Sequence, residues 1–442
     1  MSNTANQPIK ERETITQVDH SYGAIVKRQF KKNKLALWSL RIIYFLIFLG
    51  LIADFLANDK PLFCKYNGTT YFPIVKQYMV DMGVSKWPVE LINADWQNIK
   101  YDAVIFAPIP YAPYKTDKDN NDYKPPFKDQ KVASKRWTHW LGTDQIGRDL
   151  LSGLIHGTRI AMLVGVVSMS IASLIGIFLG SMAGYYGDER FKMSRIRLLL
   201  NLLFIPFALF YSFVVRSYSM SDAMAESFSS FILSFLFSFI LFIALMMIPN
   251  LLIYLFPFRK ISFLSKKINI PIDILVSRTI EVIISIPTLL LILTICAIIK
   301  KPSIMLIMVI IGLTGWTGIA KFIRAELLRV RNLEFIEAAQ SLGYPEWRII
   351  FKHAIPNALT PVLISIAFGV AGAILAESSL SFLGIGTQSD VITWGKLLSS
   401  AREYAPAWWL AVFPGFAIFI TVTIFNFVGE GLTDAIDPRL KQ

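Results

Sequence analysis

Apolar residues along the chain are grouped into long runs that polar, mostly basic segments separate. Eight of these runs are long enough for helices that cross the hydrocarbon core of a bilayer, which takes about 20 apolar residues. They cover residues 36–57, 160–183, 198–215, 229–256, 282–299, 304–320, 358–376 and 408–428. The pattern therefore predicts an all-α integral membrane protein.

The basic residues predict which side of the membrane each segment faces. Residues 1–34 are polar and carry five basic residues within 27–34, and further basic clusters lie at 190–197, 259–267 and 321–357. Because short cytoplasmic loops carry an excess of Lys and Arg, we expect these clusters and both termini in the cytoplasm. Residues 1–34 then form an N-terminal tail and 35–57 the first transmembrane helix. Lys300 and Lys301 would lie outside, but the basic residues inside outnumber them.

Charge and composition exclude several classes of function. The net charge of +13 is compatible with nucleic-acid binding, but the basic residues sit at the ends of apolar runs, so no nucleic acid is expected. Cys64 and Cys296 predict neither a disulfide framework nor a zinc site, and the four scattered histidines predict no metal site. The first apolar run begins near Ala36 without a small-residue cleavage site, so no cleavable signal peptide is expected.

Two segments are too long to be simple loops between core membrane spans. Residues 58–140 are polar and rich in Pro, Tyr and Trp, which predicts an extracytoplasmic insertion. Residues 188–272 hold two uncharged runs around a mildly acidic tip, with basic residues on both flanks. This arrangement predicts an inserted transmembrane hairpin that leaves the cytoplasm and returns to it.

The charged segment 321–357 predicts two short helices between membrane spans. Residues 335–341 suit a helix that Gly343 ends, and 345–352 suit a second helix. Pro356 is expected to block its continuation, and Thr360 with Pro361 to start the next membrane helix. Such a pair would form a rigid knob outside the bilayer, but an ordinary amphipathic loop explains the spacing equally well.

Here the chain resembles a family. The spacing of Glu337-Ala338-Ala339, Gly343 and Pro356 is similar to the EAA loop of ABC importer permeases, the element that docks on the ATPase. His353-x-x-Pro356-Asn357 resembles the peptide and nickel branch of that family. Three further stretches resemble the same branch: Leu141-Gly142-Thr143-Asp144-Gln145-Ile146-Gly147-Arg148-Asp149, Ala376-Glu377-Ser378-Ser379-Leu380-Ser381-Phe382-Leu383-Gly384 and Asp434-Ala435-Ile436-Asp437-Pro438-Arg439-Leu440.

The resemblance implies a six-helix ABC importer permease core at 141–187 and 273–442, plus the hairpin 188–272. It implies the C-type subunit of a heterodimeric permease in a bacterial inner membrane. The implied partners are a second homologous permease, ABC ATPase subunits and an extracytoplasmic solute-binding protein. ATP and Mg would be bound by the partner subunits, and this chain would need no cofactor. The implied cargo is a peptide, with nickel or another small solute as the alternative, and a shorter match at 58–61 and 71–73 resembles the oligopeptide and microcin C subgroup.

Several charged residues are candidates for the translocation path or its gate. Arg278 and Glu281 stand where the family has an Arg-x-x-Asp element, with Glu281 replacing the usual Asp, and they can pair at i,i+3. Glu377 follows the predicted fifth core span, where a pathway role and a loop-capping role are equally compatible with the pattern. Asp144 and Arg148 precede the second core span, and Thr143 or Asp144 is expected to cap a helix there.

Two other classes of function compete with the permease interpretation. A secondary transporter would need ionisable residues at mid-membrane and broken helices in two repeats, and the uncharged spans argue against it. A membrane-bound enzyme would need a catalytic cluster in the loops, and the sequence shows none. The chain also lacks the Gly-x-x-x-x-Gly-Lys-Ser/Thr motif that cradles nucleotide phosphates, so ATP hydrolysis is expected in separate subunits.

Overall fold

The computed structural model describes residues 22–92, 94–226, 228–255, 262–299, 303–386 and 391–436. Its helices are α1 (Tyr22–Lys32), α2 (Lys34–Leu51), α3 (Ala53–Leu56), α4 (Pro73–Asp81), α5 (Leu150–Ser181), α6 (Arg195–Leu209), α7 (Ser217–Glu226), α8 (Phe228–Leu255), α9 (Ser262–Ser265), α10 (Ile272–Ser285), α11 (Thr288–Ile299), α12 (Ile304–Val330), α13 (Glu334–Ser341), α14 (Glu346–Ile349), α15 (Ile355–Phe382), α16 (Trp394–Ser400) and α17 (Trp408–Ile436). The strands are β1 (Phe63–Tyr66), β2 (Thr69–Tyr71), β3 (Ala103–Ile105), β4 (Lys192–Ser194) and β5 (Lys267–Asn269).

Within these described residues, seven helices are long and apolar enough to cross a membrane. An eighth span results if α10 and α11, which a bend separates, form one broken span. The positions of these helices follow the eight predicted runs, so the fold class, an all-α membrane protein, is confirmed. The short strands lie in the connecting segments.

The described chain forms two compact units. The first extends to Gly176 and includes Ile286–Ile319 and the residues from Pro356 onward, and the second comprises Ile177–Ser285 and Ala320–Ile355.

Small residues bring helices of the first unit close together. A Cβ on Gly312 of α12 would stand 2.8 Å from the Ser168 carbonyl oxygen of α5, and the Ser168 hydroxyl donates a 2.8 Å hydrogen bond to the Met308 carbonyl. Small and hydroxyl residues act in this way between membrane helices because lipid supplies no hydrophobic drive for association. The core beside this contact includes Val164, Ile307 and Leu380.

The residues between the first two spans, 52–149, form what we call the interspan region. Its three-stranded antiparallel sheet has the order β2-β1-β3, and Cys64, Leu91 and Trp96 form a small buried core beside it. Arg159 of α5 donates hydrogen bonds to the Gly50 carbonyl and to the Asp54 carboxylate, at 2.8 and 2.7 Å. Helix α5 begins at Leu150, ten residues before the predicted run, and the pairing with Asp54 neutralises the charge that the added turns contain.

The N-terminal segment is also more ordered than predicted. Residues 22–32 of the expected polar tail form the amphipathic helix α1, which packs against α17. Phe30 supplies the apolar contact, beside Ile43, Ile424 and Val428. The Asn33 side chain caps α2 by accepting a hydrogen bond from the Ala36 N–H at 3.1 Å.

The second unit contains the helices of segment 188–272. Helix α6 packs against α8, and Phe213, in the π-helical turn after α6, contacts Phe235 and Phe242. Most large apolar side chains of α8 are exposed, as expected for a helix that faces lipid. Strands β4 and β5 pair at the two ends of the segment, with Lys192 opposite Asn269 and Ser194 opposite Lys267.

The predicted span 282–299 is not one continuous helix. Helix α10 ends at Ser285, and α11 begins at Thr288. Pro287 lies in the break: it lacks an N–H, and its ring disfavours helical geometry at Ile286.

Candidate functional site

The loop that joins α12 to α15 contains the motif singled out in the sequence. Helices α13 and α14 with their turn, residues 334–349, are called the two-helix loop below. On α13, Ile336 and Ala339 are buried, whereas Glu337 and Ala338 are exposed. Glu337 lies in the first turn of α13, where a carboxylate is favoured by the helix dipole.

Gly343 forms the turn between the two helices. Its φ is +76°, and its N–H donates to the Gln340 carbonyl at 2.9 Å. The next N–H, of Tyr344, reaches the Ala339 carbonyl at 3.2 Å. A glycine in the left-handed region after the last helical turn satisfies carbonyls that would otherwise lack partners. The predicted helix 335–341 and its glycine stop are thus confirmed.

The second half of the loop differs from the prediction. Helix α14 is followed without interruption by a π-helical turn, Ile350–Ala354, and then by α15. Neither Pro356 nor Pro361 breaks this helix, and Pro361 lies inside it. Both expectations were wrong. Pro356 removes the N–H that would pair with the Lys352 carbonyl, and the wide π turn just ahead accommodates that loss.

The two-helix loop presents an outward surface that mixes apolar and charged groups. Leu342 is 74% exposed, Trp347 65% and Phe351, in the following π turn, 66%. Glu337 and Lys352 are also exposed. Large exposed apolar side chains beside charges are typical of a surface that a partner protein covers.

Contacts inside the second unit hold this loop in place. The Arg331 guanidinium donates to the Gly184 carbonyl at 3.3 Å, and Arg324 of α12 forms a bidentate ion pair with Asp273 of α10. The Arg348 guanidinium lies 4.7 Å from the centre of the Tyr344 ring, which itself stacks on His353. His353 of the motif therefore packs against the turn of the two-helix loop.

Asp144 and Arg148 form a turn ahead of α5 rather than a helix cap. The Asp144 carboxylate accepts hydrogen bonds from the N–H groups of Ile146 and Arg148, at 3.0 and 2.8 Å. Burial holds the pKa of Asp144 above its usual range, although the Arg148 N–H and charge oppose the shift. The helix cap is instead Asp149, whose carboxylate accepts from the Ser152 N–H at 2.7 Å. The expected cap at Thr143 or Asp144 was wrong because residues 145–149 separate both from the start of α5.

A buried histidine that sequence reasoning missed joins this turn to the interspan region. The His139 ring is fully buried, stacks on Tyr111 with 4.1 Å between ring centres, and lies 2.9 Å from Asp149 and 3.2 Å from Asp117. Burial alone would lower the pKa of His139, but its hydrogen bonds to the two carboxylates and their charges raise it above the ordinary value. Burial would likewise raise the pKa of Asp117, but the hydrogen bonds from His139 and Asn120 lower it to about 2.

The remaining candidate charges lie in separate surroundings. Glu377 is only 1% exposed and sits inside α15, not in a loop. The hydroxyl of Ser381 donates to its carboxylate at 2.6 Å, an arrangement that stabilises a buried carboxyl rather than exposing it to a solute. Arg278 and Glu281 form the predicted i,i+3 ion pair at 2.6 Å on an exposed face of α10. In the described part of the chain, no group of three or more His, Cys, Asp or Glu could hold a metal ion.

Comparisons with known proteins show which family this arrangement belongs to. The profile of the binding-protein-dependent transport system inner membrane component matches residues 260–442, and that of the N-terminal TM domain of oligopeptide transport permease C matches 21–73. A putative peptide transport system permease protein of Brucella suis biovar 1 (strain 1330) is 38% identical over 304 residues, which are 69% of this chain and 74% of that protein. The chain belongs to this family of inner membrane components.

Two further relatives of this permease differ in the substrate that their names state. The oligopeptide transport system permease protein OppC of Haemophilus influenzae is 31% identical over 68% of this chain and 70% of its own. The peptidoglycan transport system permease protein YejE of Agrobacterium fabrum is 27% identical over 93% of this chain and 92% of its own. The permease is thus a C-type, multi-pass protein of the bacterial inner membrane.

Proposed function

We propose that this permease is the membrane subunit of an ATP-driven peptide importer, and that its two-helix loop docks on a separate ATPase. The observation that carries the proposal is the surface of that loop. It combines a left-handed glycine turn, an exposed carboxylate at Glu337 and exposed Leu342 and Trp347 on a scaffold whose Ile336 and Ala339 are buried.

The loop suits transmission of force because its second helix leads into a membrane helix without an intervening coil. Helix α14 runs through a π turn into α15 without a break in the helix. The sequence lacks the Gly-x-x-x-x-Gly-Lys-Ser/Thr motif, and we propose that ATP and Mg are bound by the ATPase partners. A second, homologous permease would complete the translocation path, and a solute-binding protein would deliver the cargo.

The peptide substrate is proposed from the relatives, whose names state peptide and oligopeptide transport. The peptidoglycan transport of the Agrobacterium relative favours a second candidate cargo, cell-wall fragments that also contain peptide bonds. Uptake of a labelled tripeptide in cells that carry the permease with its partners separates the two when each unlabelled compound is added as competitor. If neither unlabelled compound reduces uptake of the labelled tripeptide, and the cells take up nickel, both candidate cargoes are overturned.

Docking is tested by cross-linking from a single introduced cysteine. Both native cysteines are buried, so the thiol reagent is expected to react with the introduced cysteine of an Ala338→Cys variant. We expect a bifunctional thiol–amine reagent to join it to the co-purifying ATPase, whereas Lys118→Cys, exposed in the interspan region, should give no such product. Equal ATPase cross-linking from both positions, or from neither, would contradict docking at the two-helix loop.

A further inference from the structure

A pocket of about 570 Å³ lies at the base of the inserted segment 188–272, where strand β4 leads into helix α6. We call it the basic pocket. Eight residues line it, among them Lys192, Ser194, Arg197, Ile253, Ser265 and Lys267. The pocket is formed entirely by residues of the second unit, and its walls come from both ends of the insertion.

Three basic residues line this pocket, and the register of the strand pair makes two of them neighbours. Ser194 stands opposite Lys267, and Lys192 is two residues along the same strand. Residues two apart on a strand share a face, so Lys192 and Lys267 are diagonal neighbours on one face of the pair, at roughly 7 Å spacing. Arg197 joins them from the first turn of α6.

The positive charge in the pocket has no counter-charge among the described lining residues, since none of the eight is acidic. Between Arg190 and Lys267 the sequence has only two acidic residues, Asp222 and Glu226, and both belong to the other end of the hairpin. Asp188 is engaged elsewhere, accepting a hydrogen bond from the Ile274 N–H at 3.2 Å. Like charges gathered at close range favour a bound anion. Two hydroxyls, of Ser194 and Ser265, also line the pocket.

The surroundings of the pocket determine which anion fits. Ile253 of α8 lines it, and the adjoining surfaces of α6 and α8 expose Leu199, Leu251 and Leu255. A phosphate held by the three cations would therefore stand at the end of an exposed apolar surface, where acyl chains can lie. Basic pockets at the cytoplasmic ends of membrane helices recognise lipid headgroups in this way. A zwitterionic headgroup would bring its own cation toward three others, so it fits less well.

We propose that the basic pocket binds the phosphate of an anionic phospholipid of the cytoplasmic leaflet, whose acyl chains lie along α6 and α8. The insertion is then a lipid-binding element of the permease. This role is independent of the proposed cargo and of docking at the two-helix loop.

The test compares lipid retention by the full permease complex, purified in detergent and analysed by native mass spectrometry. The probes are phosphatidylglycerol, phosphatidylethanolamine with the same acyl chains, and inorganic phosphate. The test variant combines Lys192→Gln, Arg197→Gln and Lys267→Gln. The matched control combines Lys27→Gln, Lys31→Gln and Lys32→Gln, which removes the same charge from exposed residues of α1, predicted to face the same side of the membrane.

We expect the wild type and the control to retain phosphatidylglycerol in preference to phosphatidylethanolamine. Retention should weaken about fivefold for each charge removed and roughly 100-fold in the triple variant. Unchanged retention by the triple variant, or an equal loss in the control, would overturn the proposal. Displacement of the lipid by millimolar inorganic phosphate would assign the pocket to a free anion and overturn the lipid assignment. If the triple variant aggregates, the single variants Arg197→Gln and Lys267→Gln are measured instead. The proposal is overturned if either single variant retains the lipid as well as the wild type does.

Discussion

Replacing Gly343 tests whether the shape of the two-helix loop matters for transport. A Cβ at this position would meet no heavy atom within 4 Å, and φ is +76°. The cost of a substitution therefore comes from the backbone alone. A left-handed conformation costs an L-residue roughly 1–2 kcal/mol, and β-branched valine lies at or above the upper end, whereas asparagine tolerates this region well.

A cost of about 2 kcal/mol shifts the ratio of native to relaxed turn roughly 30-fold. It is small against the total stability of a folded protein, about 5–15 kcal/mol, and the turn is exposed. We therefore expect Gly343→Val to reduce uptake by up to about 30-fold, Gly343→Ala by a smaller factor, and Gly343→Asn by about twofold or less. Membrane insertion and abundance should stay nearly normal in all three.

The assay is uptake of a labelled peptide, normalised to inserted protein, with ATPase co-purification measured in parallel. Gly343→Asn is the matched control, because it adds a side chain of similar size but keeps the left-handed turn accessible. Wild-type uptake by Gly343→Val would refute the reasoning. So would an equal loss in the valine and asparagine variants, since the loss would then follow side-chain bulk and not φ.

Three further predictions concern other parts of the chain. Glu337→Lys should abolish uptake and ATPase retention, at a cost of about 2–5 kcal/mol for a desolvated charge pair, with Glu337→Gln intermediate; full transport by the lysine variant would argue against docking there. Cysteine at Asp222, exposed on α7, should react with an impermeant thiol reagent from outside, and labelling only after membrane disruption would reject the predicted hairpin orientation. The stability of the interspan region, measured by hydrogen exchange, should fall as pH rises from 6.5 through the raised pKa of His139, and also as pH falls from about 4 toward the pKa of about 2 for Asp117. The variant His139→Gln should remove the loss of stability at high pH. A wild-type protein without that loss would contradict the proposed ion pairs.

The membrane helices were predictable because bilayer thickness imposes a run length that the sequence shows directly. The ends of those helices were less so. Helix α5 begins ten residues before its uncharged run, and Arg159 in those added turns has its partners, Gly50 and Asp54, in a segment that is distant in the chain. Hydropathy along one segment carries no information about such partners.

Three prolines near helix ends did not all have the same effect. Pro287 lies in a break between α10 and α11 that the predicted span 282–299 did not include, whereas Pro356 and Pro361 lie within one continuous helix. The difference depends on whether neighbouring turns can widen, as the π turn before Pro356 does. No local residue pattern predicted that turn.

The sequence identified the residues of the two-helix loop more readily than the group formed by His139, Asp117 and Asp149. Glu337 and Gly343 lie within one helix and its cap, so their spacing in sequence is their spacing in space. His139 meets Asp117 and Asp149 from an irregular segment without periodicity, and only Asp149 carried a signal, since it stands three residues before the Ser152 N–H that it caps.

The pairing of β4 with β5 has a consequence for how this chain tolerates change in length. Antiparallel partners stand about 5 Å apart at Cα, so the chain returns at Asn269 almost to the place it left at Lys192. Whatever lies between them is a closed loop, and doubling such a loop costs only about 0.6 kcal/mol of closure entropy. The segment between the paired strands can therefore be exchanged, shortened or enlarged without moving the two strand ends apart.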